Sequence, residues 1–207
     1  MIIDAGSERP KPGIKPAHVH LVLRHDQVLG RNQQVIHASI TQVDLHDFCR
    51  LTMTYGLGGF HCVSVMEEQH RICREILTYW QEGAGKQYNP DRVQALSGLC
   101  LHRSFADVVS DIAEKSGKAP IILGTSAKPH EKCLAMEEAL DIIKGSGRPT
   151  LVQFGTSWGL SQDQLHRCDG VLPPIDGYDG YNHLSVRCAA AIIVDRLFNQ
   201  TRIKQQE

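Results

Sequence analysis

The chain has 207 residues, of which 42% are hydrophobic, 22% charged and 6% aromatic, and its formal net charge is −1 at pH 7. That length and mix fit one globular domain that buries its core without disulfide or metal staples. A nearly neutral chain has no global field toward nucleic acid, which argues against a charge-driven non-specific binder but leaves room for a local basic face.

Residues 1–17, with the run Gly6-Ser7-Glu8-Arg9-Pro10-Lys11-Pro12-Gly13, read as a flexible arm, and 18–207 as a single domain. Met1-Ile2-Ile3 is followed at once by Asp4, so no signal peptide is predicted. The apolar run Ala189 to Val194 is too short to cross a bilayer, and the expected location is the cytoplasm, with no membrane partner. Cysteines 49, 62, 73, 100, 133, 168 and 188 include no Cys-x-x-Cys pair. They are expected to be free thiols, and no metal site is predicted.

Along the chain, short apolar runs alternate with amphipathic stretches. Candidate strands are His18–Leu23, Phe60–Val65, Gly98–His102, Pro120–Gly124, Pro149–Phe154 and Gly170–Pro173. Most are continuously apolar, as parallel strands covered on both faces must be. Glu67 to Gln81 places Ile72, Ile76, Leu77 and Trp80 at helical spacing. Ser104 with Asp107 forms a capping-box pattern for a helix running to Lys115 and stopped by Gly117. Glu131 to Lys144 reads as a helix ended by Gly145-Ser146-Gly147, and a last helix is expected over Leu184–Asn199. The predicted class is α/β: a mainly parallel sheet of about six strands with helices on both faces.

Ligands of open α/β sheets bind beyond the carboxyl ends of the strands. Three successive strands here end in small, backbone-exposing loops: Gly124-Thr125-Ser126-Ala127, Gly155-Thr156-Ser157-Trp158-Gly159-Leu160, and Pro173-Pro174-Ile175-Asp176-Gly177. Such loops offer main-chain donors and acceptors to a planar heterocycle such as adenine. Neither a phosphate-loop pattern nor Gly-x-Gly-x-x-Gly after a strand is present, so nucleotide binding through those fingerprints is unsupported. His18-Val-His20 on a strand would put two rings on one face, but no third ligand stands at a recognisable spacing.

The segments FGTSWGL at 154–160, LPPI at 172–175 and YNHLSVRCAAAIIVDRL at 181–197 resemble the C-terminal signature of SPOUT-class RNA methyltransferases. The likeness is to a small bacterial family of S-adenosylmethionine-dependent enzymes. It extends through LGTSA at 123–127, YNPDR at 88–92 and VDLHDFCRLTMTYGLGGFHCV at 43–63, nearly all of the chain after the arm. The resemblance implies methyl transfer from S-adenosylmethionine to a nucleotide of structured RNA (tRNA or rRNA), with S-adenosylhomocysteine as product. It further implies a C-terminal trefoil knot and a homodimer. The alternative is a non-catalytic knotted RNA- or nucleotide-binding module of the same fold.

By the same resemblance the cofactor contacts are Gly124, Thr125, Ser126 and Ala127; Phe154, Gly155, Thr156 and Gly159; and Leu172, Pro174, Ile175, Asn182, His183, Leu184 and Ser185. Ser157 departs from the family's usual glycine, and a positive φ there would cost Ser about 1 kcal/mol. The candidate catalytic residues are Arg50, Asp47 and Asn182. At helical spacing Asp44, Asp47 and Arg50 share a face, so Asp47 can orient Arg50 or act as a base. Asn182 is also a natural N-cap for the last helix. Arg31, Lys86, Arg92, Arg103 and Lys128 are the cations considered for phosphate contact.

Overall fold

The structure is a computed structural model that describes residues 16–203, with side chains to residue 199. The expected arm therefore lies almost wholly outside the described residues. After a short 3-10 turn at Pro16–His18 come β1 (Val19–Arg24), a small hairpin of β2 (Val28–Leu29) and β3 (Val35–Ile36), and α1 (Gln42–Tyr55). Next are β4 (Gly59–Val63), α2 (Glu67–Gln81), α3 (Gly85–Tyr88), α4 (Pro90–Leu96), β5 (Leu99–His102) and α5 (Phe105–Ser116). The second half holds β6 (Ile121–Thr125), α6 (Met136–Ser146), β7 (Thr150–Gly155), α7 (Gln162–His166), β8 (Gly170–Leu172) and α8 (Val186–Ile203).

The six predicted strands form one sheet in the order β5-β4-β1-β7-β6-β8, and every neighbouring pair is parallel. Chain order turns back between β1 and β7, where the carboxyl ends of an open sheet offer a crevice. The two faces are covered unequally. Residues of α1, α2, α4, α6 and α8 pack with Leu21, Leu23, Phe60, Val152 and Phe154 in the main core. Phe48 of α1 stacks on Phe60 at 5.0 Å and meets Phe154 edge-on at 5.7 Å, tying that helix to β4 and β7. On the other face α5 supplies Val108 and Ile112 against Val22, Val63 and Leu151, and α7 supplies Leu165 against Val171.

Local signals explain most boundaries. The Ser104–Asp107 capping box forms in both directions, and Gly117 ends α5 with φ 70°. Thr41 caps α1, accepting from the Asp44 amide. Four expectations need correction. His18 precedes β1 in the 3-10 turn, so it does not share a strand face with His20. The helix expected from Glu131 begins at Met136, because Lys132 and Leu134 exchange backbone hydrogen bonds with Val171 of β8 and hold the chain extended. Gly145 lies inside that helix and Gly147, at φ 57°, is the residue that ends it. The last helix starts at Val186, and Ser185 accepts from the Cys188 amide in the capping role expected of Asn182.

Candidate active site

The three loops converge as the strand order predicts. They enclose a cavity of about 490 Å³ at the carboxyl edge of β6 and β7, closed on one side by the start of α8. Its floor comes from β7. Gly155 is required there, because a Cβ would lie 2.5 Å from the backbone of Gly159 and Leu160. Only a bare Cα lets loop 155–160 fold back on its own strand. The turn closes by a Gly159 N–H to Thr156 O bond of 3.0 Å. Ser157 within it has φ 56° and Gly159 φ 94°. The position where the family prefers glycine does take the left-handed conformation, and Ser157 bears that strain.

The loop is pinned from outside by the β2–β3 hairpin. Leu29 donates to Gly159 O at 2.9 Å and accepts from Trp158 N–H at 3.0 Å. Thr156 donates both its amide (3.1 Å) and its hydroxyl (3.0 Å) to Arg24 O, at the end of β1. Thr125 Oγ1 donates to Gln153 O at 2.9 Å, tying the first loop to β7. Asn182 Nδ2 donates to Ala127 O at 2.9 Å, so the segment before α8 is tied to the first loop across 55 residues of sequence. A preorganised concave site results, with apolar walls of Phe154, Leu160, Ile175 and Ile193 and an edge of main-chain polar groups.

Thr125, Ser126, Ala127, Phe154, Gly155, Thr156, Gly159, Ile175, Asn182, His183, Leu184 and Ser185 all line this cavity. Gly124, Leu172 and Pro174 do not. Gly124 is buried against α7, where a Cβ would meet Leu165 Cδ2 at 2.9 Å and Cys168 Sγ at 3.0 Å. Leu172 is 1% exposed and belongs to the main core. Leu29, Gln33, Ala38, Ser39 and Thr41, which sequence reasoning did not single out, also line the site, as does Asp44. They belong to the hairpin, the strap after it and the start of α1; Val28-Leu29 and Val35-Ile36 around Gly30-Arg31-Asn32 were the available signal.

The acidic side chains of α1 are arranged differently from the expected i,i+3 pair. Arg187 of α8 donates from Nη1 to Asp47 at 2.9 Å, and its Nε lies 3.1 Å from Asp44. Asp44 is 7% exposed and also accepts from the Thr41 hydroxyl. Arg50 is exposed and has no ion pair among the described residues, and neither it nor Asp47 lines the cavity. Asn182 does. Of the other cations considered, Arg92 lies over the Trp80 ring at 4.6 Å and Arg103 pairs with Glu67 at 2.5 Å, while Lys128 lines the cavity. At the rim, exposed Trp158 and Tyr181 flank His183 at 6.3 and 5.5 Å between ring centroids.

Beneath the site His25 is fully buried at the end of β1, and burial pushes its imidazole down to about 4, against the opposing pull of the Asp44 charge.

Residues 18–199 match the family model described as SAM-dependent RNA methyltransferase. A tRNA (guanine-N(1)-)-methyltransferase of Oleidesulfovibrio alaskensis is 37% identical over 193 residues, which are 92% of this chain and 44% of that protein. The chain thus spans less than half the length of that relative. An uncharacterized protein of Aquifex aeolicus is 31% identical over 185 residues, 89% of this chain and 90% of its own. Among solved structures, a probable methyltransferase from Bordetella pertussis Tohama I superposes with a TM-score of 0.58 at 13% identity, over 87% of this chain and 95% of that one. That likeness is one of fold.

Proposed function

Because the chain belongs to the SAM-dependent RNA methyltransferase family, we propose that its catalytic site is the cavity at the carboxyl edge of β6 and β7, and that the acceptor is a nucleotide of tRNA. The observation that carries this reading is the convergence of three loops on one concave site of about 490 Å³, within the size range of small-molecule cofactor pockets. The lining fits S-adenosylmethionine: the bare Gly155 and the turned Gly159 leave main-chain groups open to an adenine edge, and Phe154, Leu160 and Ile175 offer apolar walls to its faces. Thr125, Ser126 and Ala127 would face the opposite side.

Bound there, the cofactor supplies a methyl group already activated on a sulfonium. What remains for the protein is orientation, exclusion of water and the handling of one proton on the acceptor. Asn182, tied to Ala127 O and facing the cavity, positions the acceptor side. Arg50 engages the RNA, and Asp47, with Asp44, sets the geometry of α1 against α8 through Arg187. Since Arg50 does not line the cavity of its own protomer, it acts on the site only when the RNA or a second protomer bridges the distance. Exposed Val43 and Met53 flank it on α1 and supply apolar surface for a homodimer. The rings of Trp158, Tyr181 and His183 offer stacking faces to an unpaired base. The same reading includes the trefoil knot and work in the cytoplasm, where tRNA is modified. The name of the Oleidesulfovibrio relative motivates the choice of tRNA.

Calorimetric titration with S-adenosylmethionine and S-adenosylhomocysteine, followed by transfer of labelled methyl to purified tRNA and rRNA, tests this reading. One ligand per chain and label in tRNA support it. Cofactor binding without transfer to any RNA supports the non-catalytic module, and no cofactor binding by the folded protein overturns the site assignment.

A further inference from the structure

On the thinly covered face of the sheet, away from the methyl-transfer cavity, three imidazoles and a thiol meet. The register aligns Val22 with His61 and His61 with Cys100, so His20, His61, Cys100 and His102 all project to one side of β1, β4 and β5, beneath α5. His61 is 2% exposed and its Nδ1 lies 3.0 Å from His102 Nε2. Its other nitrogen, Nε2, lies 3.2 Å from His20 Nδ1. One ligand atom each from His61, Cys100 and His102 fall within 4.8 Å of one another. A cavity of about 270 Å³, lined by His20, His61 and Cys100, opens beside them.

We propose that His61, Cys100 and His102 form a binding site for a zinc-class divalent cation. Two nitrogens and one sulfur suit a borderline-soft ion, and the adjoining cavity leaves a fourth position to water. Tetrahedral bonds of about 2.0–2.1 Å to nitrogen place the two donors roughly 3.3 Å apart, close to the spacing that His61 and His102 already have. Closing the sulfur onto the ion takes a movement of about 1 Å, within reach of a side-chain rotation. His20 completes the arrangement. With His61 ligating through Nδ1, its Nε2–H donates to His20 Nδ1, the outer hydrogen bond that fixes tautomer and ring orientation in histidine metal sites.

Binding requires one net deprotonation. The Cys100 proton leaves to solvent as the metal–sulfur bond forms, while His61 moves its one ring proton from Nδ1 to Nε2 and His20 moves its own from Nδ1 to Nε2 so as to accept, each imidazole keeping one proton. Burial raises the Cys100 thiol above its usual range, so the ion itself must draw the thiolate out. The charges facing the cluster from α5 are Asp111 and Lys115, which pair with each other at 2.8 Å, and Asp107, whose carboxylate acts on His102 and leaves that side net negative toward a cation.

The test uses the full-length protein, stripped with a chelator and titrated with Zn²⁺ against a chromophoric competitor, and separately with Co²⁺. One Zn²⁺ per chain at micromolar or tighter affinity, with a thiolate-to-cobalt charge-transfer band, is the expected result. Cys100→Ser should abolish the band, and His102→Gln should weaken Zn²⁺ at least tenfold. Cys133→Ser and Cys188→Ser, which remove exposed thiols elsewhere, should leave both readings unchanged. A wild-type protein that stays folded yet shows no charge-transfer band overturns the proposal without recourse to any variant. Binding that survives Cys100→Ser and His102→Gln overturns it equally. Neither reading depends on S-adenosylmethionine, so failure here is distinct from failure of the methyltransferase site.

Discussion

Arg187 on α8 grips Asp47 on α1 at 2.9 Å, although 140 residues separate them along the chain. The same guanidinium holds Asp44, whose side chain is only 10% exposed. One cation thus bridges two carboxylates at the junction of the helices that border the cavity, leaving the trio with one net negative charge. Arg50, the nearer basic residue in sequence, pairs with no acid among the described residues.

Truncating the two arginines should therefore separate stability from chemistry. Arg187→Ala leaves Asp44 nearly buried without its cation and is expected to cost about 1–2 kcal/mol in urea denaturation. Arg50→Ala should stay within about 0.5 kcal/mol of wild type, as exposed substitutions do, while methyl transfer falls sharply and cofactor affinity is kept. Equal destabilisation by both variants would contradict the assignment.

Ser157 allows a test of backbone strain. With φ at 56° it occupies a conformation that costs a side-chain-bearing residue about 1–2 kcal/mol. Ser157→Gly is expected to fall within about 0.5 kcal/mol of wild type, since relief of strain offsets the greater freedom of glycine in the unfolded chain. Ser157→Val should lose about 1–2 kcal/mol, because a β-branched side chain tolerates that region worst. Thermal melts of the two variants check the asymmetry; a neutral valine would refute it.

Gly155→Ala tests the cofactor loop directly. The added methyl would sit 2.5 Å from main-chain atoms of Gly159 and Leu160, which cannot yield as a side-chain tip would. The loop must open, and S-adenosylmethionine affinity should fall by about tenfold or more, equivalent to about 1.4 kcal/mol. Calorimetry that finds an unchanged Kd would show that the loop does not hold the cofactor.

The buried His25 predicts a pH dependence whose sign follows from its environment. Burial lowers its folded pKa to about 4, below the ordinary 6.5 of the unfolded chain. Between these values the unfolded state binds the extra proton, so stability is fully present above pH 6.5 and is lost as pH falls toward 4. The slope expected from this one residue is about 1.4 kcal/mol per pH unit within that window. Chemical denaturation at pH 7.5 and pH 5 should show the loss in wild type and a smaller one in His25→Asn. Identical slopes would remove His25 from the account.

Much of this molecule can be read without its coordinates. Continuous apolar runs such as Ile121-Ile122-Leu123 and Leu151-Val152 announce parallel strands, and the glycines after them announce loops at the ligand edge. The Ser104–Asp107 cap and its Gly117 stop are likewise local, because each is satisfied within a few residues. The hairpin over 28–36 escaped notice, since two-residue strands are too short for periodicity to register.

Sequence by itself determined the six strands of the main sheet, the cap and stop of α5 and the glycine loops that line the cavity, because those depend on side-chain period and on where a backbone needs glycine. Tertiary structure alone decided who meets whom. It gave Asp47 to Arg187 in place of Arg50, moved the cap of α8 from Asn182 to Ser185, and committed residues 132–134 to β8 when their pattern favoured a helix. It also brought His61 beside Cys100 and His102 through nothing but strand register. Local propensities amount to tenths of a kcal/mol per residue, whereas a buried charge or an unpaired main-chain group costs several times more. Where the two disagree, the long-range partner wins.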